Sequence, residues 1–250
     1  MRRRRGRPGA LGLKPAQEGV QGAGVRALNA YLGWALAHLL ICLPLTAAFT
    51  PGRRLPHADE SPAAPVRIRW DRRMVQLAVL FAGAWAVSTA MSAHLPRLLM
   101  KIGLSPAQAA AIAGLTAAAA IAVRLLDMTL LHGASPITTT RLAALMHPLG
   151  ALTVGLGGAR FAAALTLCQG AGNGLLSVAS GVLPLKLFGR RNYAARHALM
   201  LTPARFMQAA GPALYGLALE RSAALALAAS SAVCLIMFAA TFGLERRDGS

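Results

Sequence analysis

Between Phe161 and Leu219 the chain lays down two apolar stretches, each long enough to cross a bilayer, on either side of a turn holding Lys186, Arg190, Arg191 and Arg196. Each stretch carries a polar stripe. In the first, Gln169, Asn173, Ser177 and Ser180 recur at steps of four, four and three. On a helix that spacing gathers them onto one face and leaves the others to Leu, Val, Ala and Gly. The second stretch repeats the pattern with Arg205, Gln208 and Pro212. In a membrane such a face must look into protein or a wet cavity, because an unpaired amide or guanidinium facing lipid costs several kcal/mol, on the order of 2 to 4.

The rest of the chain fits that constraint. Of its 250 residues 56% are hydrophobic and only 14% charged, which no ordinary soluble domain shows, so an all-α polytopic membrane bundle is expected. The net charge of +18 would suggest nucleic acid in a soluble protein, but the basic residues sit in short loops and a leading tail. No aromatic-interleaved basic surface accompanies them, so nucleic acid is not expected as a partner. Cys42, Cys168 and Cys234 each lie in an apolar run, without disulfide or metal-ligand spacing. The six histidines form no metal motif, and no phosphate-binding GxxxxGK loop occurs. No paired acid or nucleophile constellation is visible, so neither an enzyme nor a cofactor is expected.

About seven spans can be drawn. Residues 1–27 form a basic tail, read as disordered or as an artefact of a misplaced start, and 28–49 are a first span with Tyr31 and Trp34 as interfacial anchors. Residues 50–73 are a basic, Pro-rich linker. A six-helix unit over 74–244 follows, with spans expected at Met74–Pro96, Pro106–Leu131 and Leu142–Gly157, the striped pair, and Ala223–Leu244; a short tail, 245–250, closes the chain. If all seven cross, the side holding the carboxyl terminus carries 14 basic residues: Arg53, Arg54, Arg67, Arg69, Arg72, Arg73, Arg124, Arg141, Lys186, Arg190, Arg191, Arg196, Arg246 and Arg247. Apart from the leading tail, the other side carries 4: Arg97, Lys101, Arg160 and Arg221. Positive charge marks the cytoplasmic side, so the carboxyl terminus is expected there.

Several strings resemble a known family. GAGNGLLS (Gly170 to Ser177), LPLKLFGRRNY (Leu183 to Tyr193) and TPARFMQAAGPALYG (Thr202 to Gly216) resemble the tenth and eleventh helices of bacterial permeases of the major facilitator superfamily. HLPRLLMKIGLSPAQAAAIAG (His94 to Gly114) resembles the join between the seventh and eighth. The resemblance covers roughly Leu28 to Leu244 and implies the carboxyl-terminal half of a twelve-helix secondary transporter, preceded by its sixth helix, in a bacterial inner membrane. It implies a small-molecule substrate moved by alternating access, and a second half as partner, either another copy or an amino-terminal half. The alternative is a membrane protein that transports nothing, as a truncated remnant or an accessory subunit.

The seventh and tenth helices of that family line its cavity, which here points to Ser88 and Ser92, on one face with Trp85, and to Gln169 and Asn173. Small hydroxyls commonly bond a neighbouring helix for about 1 kcal/mol, whereas amides offer both a donor and an acceptor, which makes them the better substrate ligands. Arg205 and Gln208 complete the expected substrate set. An arginine about 10 Å deep needs water, a carboxylate or an anionic substrate. Arg124 and Asp127, three apart, resemble a reduced copy of the charged gating motif of the family. Gly170, Gly174 and Gly181 are expected to bring helices close, and Pro212 to kink its own.

Overall fold

The computed structural model describes residues 28–29, 31–49, 68–129, 133–190 and 192–244. The leading tail, the linker over 50–67 and the tail 245–250 lie outside the described residues, and with them the roles expected of those segments. Among the described residues every regular element is helical. The chain divides into two units, Met1–Ala64 and Pro65–Ser250.

The first unit contributes α1, Tyr31–Phe49. Its middle, His38–Cys42, is π-helical, and the Leu43 amide reaches back to the His38 carbonyl. Pro44 explains the slip, because its ring lacks an N–H and crowds the carbonyl four residues earlier.

The second unit has six helices: α2 Arg72–Lys101, α3 Pro106–Thr129, α4 Pro136–Gly157, α5 Ala162–Phe188, α6 Tyr193–Arg221 and α7 Ala223–Ala240. The starts of α2, α3, α4 and α7 are capped by side chains, and those of α5 and α6 are not. Asp71 accepts from the Met74 amide at 2.8 Å. Ser105 and Gln108 close a reciprocal box at 3.0 and 3.3 Å, and Ser222 accepts from Leu225 at 3.0 Å. Three boundaries differ clearly from expectation: α2 runs on through Pro96 to Lys101, α4 begins six residues before Leu142, at Pro136 behind the Ser135 cap, and α7 ends at Ala240, four residues before Leu244. The polar run Thr138 to Arg141 hid the start of α4. Between α5 and α6 the chain reverses through Gly189 (φ 70°) and Asn192 (φ 55°), left-handed positions that suit those two residue types.

Among the described residues five stretches are long and apolar enough to cross a membrane: α1, α2, α3, α7 and Pro136–Phe188. The last holds both α4 and α5, separated by the 3₁₀ turn Gly158–Phe161. α6 has the length, at 29 residues, but Arg196, His197, Arg205 and Gln208 lower its apolarity. The surface is inverted relative to a soluble protein. Phe206, Leu217, Leu214, Ile121 and Leu125 lie exposed, while Thr140, His147, Thr166, Gln169, Ser230 and Thr241 are buried. Lipid rewards that arrangement and water does not.

Close contacts fix the direction of each helix. A side chain at Gly174 would meet Val123 and Ala120 at 2.5 and 2.7 Å, and one at Gly170 would strike the Thr116 carbonyl, so α3 and α5 run parallel. Gly172 lies against Ala143 and Gly150 against Leu165, which makes α4 antiparallel to α5. Lys101 Nζ donates to the Leu219 and Glu220 carbonyls at the far end of α6, and Asp71 lies 3.9 Å from Arg196 at its near end, so α2 and α6 run parallel. Arg141 Nε donates to Thr241 Oγ1 at 3.0 Å, joining the start of α4 to the end of α7.

The resulting network has an internal symmetry. α2 packs on α6 as α5 packs on α3; α2 meets α7 as α5 meets α4; α4 meets α7. Exchanging the triplet α2–α3–α4 with α5–α6–α7 preserves these pairs, and the alternating direction makes the two triplets inverted copies. The α6–α7 contact is the exception, having no strong counterpart between α3 and α4.

A proline inside a helix leaves one carbonyl without its helical donor, and two such carbonyls are met here by a neighbouring helix. Pro212 cannot donate to Gln208, whose carbonyl lies 3.1 Å from Thr89 Oγ1 on α2; that hydroxyl also lies 2.8 Å from the Trp85 carbonyl of its own helix, so its one hydrogen is shared between the two. Pro184 cannot donate to Ser180, whose carbonyl is met by His197 Nε2 of α6 at 3.0 Å. Thr89→Val is therefore expected to cost about 1 kcal/mol, and to cost nothing once Pro212→Ala restores the helical bond. A double-mutant cycle on unfolding in detergent measures this, and equal costs in both backgrounds would refute the pairing.

Candidate functional site

α2, α3 and α5 enclose a groove of about 380 Å³ on the open side of the bundle. Ser88 and Ser92 line it from α2, and Gln169 and Asn173 from α5. The structure thus brings four of the six expected substrate residues into one space. The third wall is α3, with Ala113, Gly114, Thr116, Ala117 and Ala120, and sequence reasoning assigned it no part. The signal was there in the run of alanines and glycine from Ala107 to Ala122, because side chains this small make room. Gly170 and Gly174 hold that wall against α5, so the groove's width is set by two residues that have no side chain.

Asn173 and Ser88 also line a second, narrower pocket of about 50 Å³, shared with Phe81, Trp85, Ser177 and Ser180. The two spaces meet at Asn173 and Ser88 and run in opposite directions along the bundle. Ser92, Leu95 and Pro96 lead toward the Lys101 end, and Ser177 and Ser180 toward the Asp71 end. The first has by far the larger volume, about 380 Å³ against 50 Å³.

Arg205 and Gln208 stand beside this groove, outside its lining. Arg205 Nη1 donates to Gln208 Oε1 at 2.9 Å, and the guanidinium lies 5.1 Å from the centre of the Trp85 ring. The arginine is exposed, so its charge is met by one amide and one indole face. Trp85 connects it to the pocket that holds Asn173.

Arg124 and Asp127 do not close an ion pair among the described residues. Arg124 Nε donates instead to Ser177 Oγ on α5 at 3.1 Å, while Asp127 lines a separate pocket of about 160 Å³ with Pro136 and Thr139. The ion pair described at this end is Asp71 with Arg196. A turn of three residues places Arg124 and Asp127 on one face, but α5 offers the guanidinium a hydroxyl in the packed direction. Gly181 also departs from expectation, because a side chain there would meet nothing within 4 Å. Its role is its carbonyl, which accepts from Tyr193 Oη at 3.0 Å. Pro212 lies inside α6, which continues through it from Tyr193 to Arg221, and its own carbonyl accepts from His94 at 2.9 Å.

His147 is the residue that sequence reasoning missed. It lies on α4 at 3% exposure, with Nε2 2.8 Å from Ser230 Oγ on α7. A void of about 20 Å³ joins it to Gln169, Asn173 and Ser88. A lone histidine in an apolar run gives no warning of such a neighbourhood, since Ser230 and Gln169 come from distant parts of the chain. Among the described residues no three of His, Cys, Asp and Glu gather as metal ligands.

No protein-family model matches this chain, and no curated protein is significantly similar to it.

Proposed function

We propose that the protein is a secondary transporter of the major facilitator type, in which α2 to α7 form the carboxyl-terminal half and α1 precedes it, giving seven spans. The observation that carries this reading is the meeting of Ser88, Ser92, Gln169 and Asn173 in one groove between helices of opposed direction. The inverted three-helix repeat supports it, since alternating access by rocking uses such repeats with the site at their junction. The wide space toward the Lys101 end and the narrow one toward the Asp71 end fit one of the two access states.

The basic residues of the bundle support an orientation. Arg69, Arg72, Arg73, Arg124, Arg141, Lys186, Arg190 and Arg196 belong to the Asp71 end, and Arg97, Lys101, Arg160 and Arg221 to the other. The Asp71 end and the carboxyl terminus then face the cytoplasm of a bacterial inner membrane. The exposed Arg205, over Trp85, faces the second half, whether another copy or an amino-terminal half, and favours a solute with a carboxylate or similar anion.

The test is uptake without a chosen substrate. Proteoliposomes holding the full chain are incubated with a small-molecule extract, washed, and their contents read by mass spectrometry. At least one solute is expected to accumulate and to fall about tenfold or more in Asn173→Leu, which removes both a donor and an acceptor. Arg205→Lys is expected to spare neutral solutes and to weaken anions several-fold, on the order of 1 kcal/mol. Contents identical to those of empty vesicles would leave the non-transporting alternative, remnant or accessory subunit.

A further inference from the structure

On the side of α2 turned away from the groove, a cleft of about 120 Å³ opens between α2, α6 and α7. Its wall on α2 is Ala86, Val87 and Ala90, which at about 100° per residue stand roughly 160° round the helix from Ser88, Ser92 and Leu95 of the groove. On α6 it follows one stripe, Met207, Gly211, Leu214 and Ala218, with Tyr215 beside it. Of the eleven lining residues only Tyr215 and Ser230 carry an oxygen on the side chain. Ser230 is fully used, because Oγ lies 2.9 Å from the Ala226 carbonyl, 3.1 Å from that of Leu227 and 2.8 Å from His147 Nε2.

Tyr215 is not used. It is 5% exposed, and its hydroxyl has no hydrogen-bond partner among the described residues. The adjoining imidazole does not serve it, since His94 is stacked on the tyrosine ring, centroids 5.9 Å apart, with Nε2 on the Pro212 carbonyl. A long side chain on a helix leans toward the amino end, so the hydroxyl is directed back along the cleft toward Met207. A buried phenol without an acceptor is costly. Water does not answer the need, because a buried water takes two to four polar partners and this wall offers one. The mouth is apolar too, with Leu214 and Ala229 exposed at it. One turn beyond Ala218 the stripe ends in Arg221, which is exposed and in no ion pair among the described residues, while Glu220 falls about 100° off it.

We propose that this cleft is a phospholipid site of the leaflet at the Lys101 end: one acyl chain fills it, an ester carbonyl accepts from Tyr215 Oη, and Arg221 holds the phosphate. Depth agrees with that order. The 29 residues of α6 span about 43 Å against a hydrocarbon core of about 30 Å, so a centred helix reaches about 7 Å beyond the core at each end. Tyr215, about 9 Å from the end at Arg221, then lies where tails give way to esters, and Arg221 lies among the phosphates. Ala86, Ala90, Gly211, Ala218 and Ala229 leave the room that the chain takes. A second copy of the protein fits less well, because its helical carbonyls are already bonded and bring the tyrosine no acceptor. The proposal needs only that the bundle spans a bilayer, and it does not rest on the transport reading.

The test is native mass spectrometry of the full chain, purified in detergent and titrated with dioleoylphosphatidylglycerol. One lipid per chain is expected to stay bound under activation that strips the others. Ala229→Phe fills the cleft from its exposed mouth without entering the core, and is expected to weaken that adduct about tenfold or more. Leu235→Phe, exposed on the opposite face of α7, is expected to leave it unchanged. Tyr215→Phe keeps the ring stack and removes the donor, for an expected loss of about fivefold. Arg221→Gln is expected to weaken the phospholipid to a similar degree, about fivefold, and to leave dioleoylglycerol, which has the esters and no phosphate, bound as before. The absence of any lipid that outlasts the rest overturns the proposal. So does an adduct equally strong in Ala229→Phe and Leu235→Phe, which puts the lipid elsewhere, or one indifferent to Tyr215→Phe. A dimer in place of the adduct overturns it as well, the cleft then holding a second copy. No transported solute enters these readouts, so the uptake experiment and this one fail separately.

Discussion

Valine in place of Gly170 is expected to separate α3 from α5 and to destabilise the purified protein by about 1–3 kcal/mol, or to prevent its assembly. A β-carbon at 170 collides with the Thr116 carbonyl and comes within 2.8 Å of the Ala119 side chain. The first is backbone, which cannot turn aside, so the helices must move. Gly174, one turn on, meets Val123 and Ala120 in the same way. Gly181 belongs to the same helix and the same sequence class, yet a side chain there has open space around it. Gly181→Val is therefore expected to stay within about 0.5 kcal/mol of the wild type. Thermal or detergent-driven unfolding, followed by circular dichroism, compares the two. Equal stability would mean that α3 and α5 do not approach as described and that the groove is wider than 380 Å³.

The helices were legible in the sequence because apolar length and a start signal such as Ser105–Pro106 act locally. The start of α4 was not, although Ser135–Pro136 is the same signal, because a polar first turn follows it. The wall of the groove on α5 was legible from its stripe, and the wall on α2 from the family resemblance. The wall on α3 was not, since alanine announces nothing about what it makes room for. Partners were the least legible of all. Thr89 is one more small hydroxyl on α2 in the sequence, yet its oxygen lies between the Trp85 carbonyl of its own helix and the Gln208 carbonyl that Pro212 leaves free. Arg124 reads as the partner of Asp127, yet it reaches Ser177, 53 residues away. His147 reads as an isolated imidazole, and its meaning comes from Ser230, 83 residues further on. In each case a contact across the bundle decided between roles that the local sequence left equal.

The second large effect expected is at Asn173, where the wide and narrow spaces meet. In a background with Cys42, Cys168 and Cys234 replaced by alanine, a cysteine at 173 is exposed to membrane-impermeant thiol reagents added to vesicles of either orientation. Alternating access requires that one residue at the waist be reached from both sides, though never at once. The space toward the Lys101 end is the larger, so labelling from that side is expected to be the faster. The opposite state needs to be only a minor one, at about 0.1–10% of the population, which makes labelling from the Asp71 side about 10- to 1,000-fold slower and still measurable. Ser92→Cys, toward the Lys101 end, and Ser180→Cys, toward the Asp71 end, serve as one-sided references. Each should react from its own side alone. If Asn173→Cys behaves like Ser92→Cys, with no reaction from the Asp71 side over many hours, the narrow space never opens. The groove is then a static pocket, and the bundle an accessory protein that binds without transporting.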